Sequence, residues 1–218
     1  MASVLEQMYK KLENTHQKHL DIGMSIMNAQ GGDFYYQDML FLAAINRSLG
    51  QKSAFLQLMK ADNYLTALPM IRMQVDSILR LSATKLVSHP DKLAKQMLEG
   101  KALRFIEDRC GNRMTDAYLL SKFKHEKDWL ERVYQAGCGF IHLSEKHMFG
   151  LFADTSNDNS FQMRVSDKQE FIPIELRIEA IEAFYQSVLG IVELCEQHIF
   201  MKENPHIGRL ASNYTIKT

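Results

Sequence analysis

A chain of 218 residues is long enough to bury one sizeable core and short for two full domains. Its 46% hydrophobic and 24% charged residues argue against a chain disordered throughout, and a formal net charge of zero removes bulk electrostatics as a guide to partners. With 11 Gly, 4 Pro and 13 Met, breakers are few and unbranched apolar side chains many, which favours helix over strand.

In chain order, Val4, Leu5, Met8, Leu12, His19, Ile22 and Ile26 recur at spacings near three and four, predicting one helix over 2–29. Gly31-Gly32 ends it, and Asp33 is placed to cap a second helix over 34–49. Gly50 marks a break, after which 53–61 continues helically. A central helix starts at Asn63 or Thr66 and runs to about Val87, with Pro69 near its first turn. Pro90 opens a shorter helix that stops at Gly100. Residues 101–114 are less regular, with a turn at Gly111-Asn112, and Thr115-Asp116 begins the next helix. Residues 126–149 read as another helix, interrupted or closely packed at Gly137 and Gly139. Turn-forming residues 155–160 predict a small β-hairpin or loop excursion near 149–166. Pro173 then opens a long last helix, 174–202. The expected fold is an all-α antiparallel bundle of about five to seven helices. It is expected as a single helical domain over 1–203 with a tail over 204–218.

Charge is unevenly placed. Residues 72–113 carry nine Lys/Arg against five Asp/Glu, a balance of +4, and residues 167–203 carry three against eight, a balance of −5. These regions attract each other within one fold, while the basic region is also a weak candidate for RNA or phosphate contact. The three cysteines, Cys110, Cys138 and Cys195, are widely spaced and form no CxxC, which suits a reducing compartment. The first residues lack a secretory pattern, and no apolar run approaches about 18 residues, so a cytoplasmic protein without membrane contact is expected. No metal or cofactor motif is present. Glu13-x-x-His16 has di-iron spacing in one copy, whereas such sites need two.

Two segments carry candidate chemistry. In LPMIRMQVDSILRLSA, a rise of ~100° per residue aligns Arg72, Asp76 and Arg80 on one stripe of an otherwise apolar helix. Asp76 is placed to bridge both arginines at i±4. The stripe is then either a self-satisfied ionic spine or a pre-aligned guanidinium pair for phosphate or carboxylate. In ERVYQAGCGFIHLSEKHMF, a continuous helix buries Trp129, Val133, Ala136, Phe140 and Leu143 and returns His147 to that side as a core imidazole. His142 lies opposite, beside Gln135, Cys138, Glu145 and Lys146. An imidazole that titrates near neutrality makes His142 the candidate for acid–base work.

The stretches ALPMIRMQVDSILRL and GFIHLSEKH resemble a poorly characterised group of bacterial all-helical proteins with an arginine-rich central helix and a late helix ending near Ile-His-Leu-Ser. The likeness spans roughly the middle two-thirds of the chain and is specific only in these two stretches. The group is similar in general appearance to HEPN-type bundles, many of them dimeric ribonucleases of toxin and phage-defence systems. That resemblance implies RNA as a partner, a homodimer, and metal-independent cleavage with His142, Arg72 and Arg80 catalytic and Asp76, Glu145 and Lys146 binding. The chain departs from the HEPN pattern, because no arginine is followed by histidine after four to six residues. The other reading is a non-catalytic interaction or homodimerisation module whose Met-rich, Gly-marked surface meets a partner.

Overall fold

In a computed structural model, which describes residues 3–125, 128–149, 151–153 and 162–207, the chain is built mostly of helix. The first expected helix divides into α1 (Val4–Glu13) and α2 (Thr15–Asn28). Asn14 at the junction keeps helical angles, and the Thr15 hydroxyl donates back to the Leu12 carbonyl at 2.8 Å, so the division is a kink. Ser3 caps α1 by accepting from the Glu6 amide. The Gly31-Gly32 stop is where the sequence puts it: Gln30, Gly31 and Gly32 all adopt positive φ.

α3 (Tyr36–Lys60) runs unbroken through Gly50, where a break was expected. Gly50 is exposed with open space around it, so the residue only weakens the helix locally, and buried Phe41, Ile45, Phe55 and Leu56 hold both halves to the core. α4 (Tyr64–Ser82) follows and closes in a short 3-10 turn, Ala83–Leu86, so regular helix stops short of Val87. Pro69 lies in its second turn. α5 (Pro90–Leu98) ends before Gly100, whose φ of +90° turns the chain back.

α6 (Asp116–Phe123) is capped by Thr115, whose hydroxyl accepts from the Tyr118 amide. The stretch expected as one helix over 126–149 is two, α7 (Asp128–Ile141) and α8 (Glu145–Phe149). Phe152–Ala153 pairs antiparallel with Gln162–Met163 over two residues each, and residues 154–161 between them lie outside the described residues. α9 (Ile174–Glu203) is the long last helix. Pro205–Ile207 add one helical turn, and 208–218 lie outside the described residues. Among the described residues, no helix is long and apolar enough to cross a membrane.

α4 packs against α3, α6, α7 and α9, which makes it the axis of the molecule. Two apolar clusters share it. One gathers Ile26, Phe41, Val75, Leu79, Leu119, Leu130 and Ile191, and the other Leu12, Phe55, Leu68, Ile71, Ile181 and Phe184. Arg177 joins α9 to the α3–α4 turn: its guanidinium binds Asp62 and donates to the carbonyls of Gln169 (2.8 Å) and Ile172 (3.2 Å).

Candidate functional site

The stripe on α4 is real, and its wiring differs from the expected one. Asp76 Oδ1 meets Arg80 at 2.8 Å, one turn away, and its other oxygen takes Arg47 of α3 at 3.3 Å. It makes no ion pair with Arg72. That role falls to Asp116, the first residue of α6, whose two oxygens take Arg80 at 2.9 Å and Arg72 at 3.2 Å. The result is one chain of alternating charge, Arg47–Asp76–Arg80–Asp116–Arg72, drawn from α3, α4 and α6. Burial pushes the Asp116 carboxyl up, but the hydrogen bonds and charges of Arg80 and Arg72 outweigh it and hold the group below its ordinary range. Its place at a helix N-terminus favours the same charged form.

Arg72 is the buried end of this chain, 7% exposed. Its guanidinium carbon lies 3.7 Å from the centre of the Tyr134 ring on α7, a cation–π contact. A Cβ on Gly137 would stand 2.7 Å from Arg72 Cβ, so only glycine lets α7 lie this close to α4. The face of α7 turned inward holds Leu130, Val133, Tyr134, Gly137 and Phe140. Leu143, expected among them, is 90% exposed, because α7 ends at Ile141 and the helical register does not carry on.

That ending also sets His142 apart. It lies just past α7, exposed, with its amide directed at the Cys138 carbonyl at 3.5 Å. Among the described residues, no hydrogen bond or ion pair joins its side chain to Arg72 or Arg80. Ser144 closes the bend by donating its hydroxyl to the Gly139 carbonyl at 2.5 Å. Glu145 is exposed at the start of α8, and the side chain of Lys146 lies outside the described residues. His147 is half-buried, edge-on to Phe140 at 6.4 Å. Glu13 of the Glu-x-x-His pair is taken by Lys60 at 2.6 Å.

A second polar cluster is absent from the reading of the sequence. Asp38, on the first turn of α3, is 0% exposed. It accepts from the Tyr35 amide (2.7 Å), from His198 Nε2 (2.7 Å) and from Lys202 Nζ (2.9 Å). Lys202 also donates to the Ile26 carbonyl at 3.1 Å, and His198 stacks on Phe41. His198 is held below the ordinary histidine range by burial, which outweighs the upward pull of Asp38. The available signal was His198 and Lys202 continuing the apolar stripe of α9 after Ile191, Leu194 and Cys195. No protein-family model, curated protein or solved structure matches this chain.

Proposed function

We propose that this protein is a non-catalytic helical interaction module, and that its partner presents an amphipathic helix with basic flanks. The observation that carries the reading is an apolar face along α2 and α3. Leu20, Met24 and Met27 stand exposed on one side of α2, Phe34 and Tyr35 on the turn, and Tyr36 and Met39 on α3. Gly23, within the α2 stripe, is turned toward Leu42 of α3, which an added Cβ would meet at 3.8 Å. Phe34, Tyr35, Tyr36 and Met39 share one hollow, and exposed Met and aromatic side chains suit an adaptable protein contact.

The rim argues for the partner's charge. Asp33 and Asp91 border this face; Lys95 lies over the Tyr36 ring, and Lys202, already paired with Asp38, lies over that of Tyr35. An acidic rim repels RNA and anionic lipid, and a second copy docked on the same face would set acid against acid. A helix with apolar i, i+3/i+4, i+7 anchors and flanking Lys/Arg satisfies both features. The arginine chain supports the same reading, since its guanidiniums are already engaged by Asp76, Asp116 and Tyr134.

Photo-crosslinking from positions 24 and 27 in the native host, followed by sequencing of the joined peptide, tests this reading. A basic amphipathic segment of another protein is expected, and Met39→Glu should remove the crosslink without changing the melting temperature. Crosslinks to a second copy, to RNA or to lipid, or none at all, would overturn it. Metal-independent RNA cleavage abolished by His142→Gln would instead establish the ribonuclease reading.

A further inference from the structure

A separate hollow of about 470 Å³ lies between α5 and the irregular segment that follows it. Its walls are set by the chain itself. After α5, the left-handed Gly100 sends the Lys101 amide back to the Gln96 carbonyl at 3.0 Å, which brings Lys101 onto the same hollow as Lys92. Leu103 and Ile106 are buried, so Phe105 between them is left outward against the hollow, 56% exposed, with the Arg104 guanidinium 5.0 Å from its ring centre.

The far wall is rigid. Arg109 donates Nε to the Leu86 carbonyl at 3.1 Å and another guanidinium N–H to the Lys85 carbonyl. Asp108 accepts from the amides of Cys110 (2.9 Å) and Asn112 (2.8 Å) and from the Tyr118 hydroxyl. Arg109 and Asp108 are therefore spent on the loop. Lys92 and Lys101 make no ion pair among the described residues, and both line this cavity of ligand size. Glu107, on the same wall, supplies an acceptor.

We infer that this hollow binds a nucleoside monophosphate moiety, with the phosphate on Lys92 and Lys101 and the planar base against Phe105. Two cations on one hollow suit a phosphate better than a lone carboxylate, and the exposed ring of Phe105 gives a base a face to stack on. Glu107 fits as the acceptor for an exocyclic amino group of the base. The moiety is present in a free nucleotide and at a phosphorylated RNA end, and both offer the same chemistry to these residues.

Isothermal titration of the full chain separates the sources. The four ribonucleoside monophosphates, inorganic phosphate, and one short oligoribonucleotide with and without a 5′-phosphate form the panel. At least one monophosphate, or the phosphorylated oligomer over its unphosphorylated twin, should bind. Lys101→Glu should weaken that binding about tenfold or more, and Phe105→Ala should weaken it while leaving inorganic phosphate unaffected. Both positions are exposed, so unchanged thermal melts will establish that the variants fold. Absence of binding across the panel, or binding indifferent to Lys101→Glu, would overturn the assignment. Monophosphate binding alone marks a free nucleotide as the ligand, and preference for the phosphorylated oligomer marks an RNA end.

Discussion

Replacing Asp38 with alanine should be among the most damaging single changes in the protein. Asp38 is fully buried and compensates the ammonium of Lys202, which is itself buried, with a side-chain exposure of 3%. After Asp38→Ala, Lys202 retains the Ile26 carbonyl and the face of the Tyr35 ring but no carboxylate, and the Tyr35 amide and the His198 N–H lose their acceptor. Breaking a buried pair from one side costs about 3–5 kcal/mol. At roughly 2–4 °C per kcal/mol for a chain of this size, the melting temperature should fall by about 6–20 °C. Thermal denaturation followed by far-UV circular dichroism measures this directly. The double variant Asp38→Ala/Lys202→Met should recover a large part of the loss, because the stranded charge is gone. A single variant melting within about 2 °C of the parent, or a double variant no better than the single, would refute the account.

Two buried histidines also predict acid sensitivity. His198 and His19 are both held below the ordinary range, chiefly by burial, so the unfolded chain takes up protons before the folded one. Their stabilising contribution is complete above about pH 6.5 and is lost as pH falls below it, so melts should decline from pH 7 to 5; a flat profile would count against neutral burial. Asp116→Ala should cost about 1–3 kcal/mol, since it strips Arg72 of its carboxylate, discounted because Asp116 is one-third exposed. Asp76→Ala should cost under about 1 kcal/mol, because Arg80 and Arg47 reach water; the reverse order in urea titrations would refute the wiring. Gly50→Ala should stabilise by about 0.5–1 kcal/mol, as the site is open and helical. Gly137→Ala should destabilise by about 1 kcal/mol or more, because the clash with Arg72 exceeds the helical gain. Equal signs for these two glycines would dispose of the close-approach argument.

Those two glycines show which parts of the structure the sequence reveals. Gly31-Gly32, Gly100, Thr115 and Pro173 act through local backbone chemistry, and each marks a boundary where the structure has one. Gly50 and Gly137 are the same residue inside helical stretches, yet one faces open space and the other faces the backbone-proximal carbons of Arg72. The Gly137/Gly139 spacing admits close packing, but what approaches there is a helix 65 residues away in sequence (137 − 72), which no local pattern names.

The charged groups follow the same division. The i,i+4 rule finds the Asp76–Arg80 pair, since both ends lie on one helix. It then assigns Arg72 to the same aspartate, where Asp116 intervenes from 44 residues away in sequence. A carboxylate can serve two guanidiniums, and which two depends on the helix that packs across the stripe. The same holds for His142, whose expected place rested on one continuous helix over 126–149. Once α7 ends at Ile141, the imidazole leaves the face on which it was counted, and the arginines have Asp116 and Tyr134 for company instead. A guanidinium bound by carboxylate and ring has less capacity to stabilise a transferring phosphate, since any anion must first displace those partners. The α4 stripe is thus better suited to fixing α6 and α7 on α4 than to chemistry, which leaves the outward faces, with their exposed Met and Phe105 and with Lys92 and Lys101 beside the hollow, as the surfaces open to other molecules.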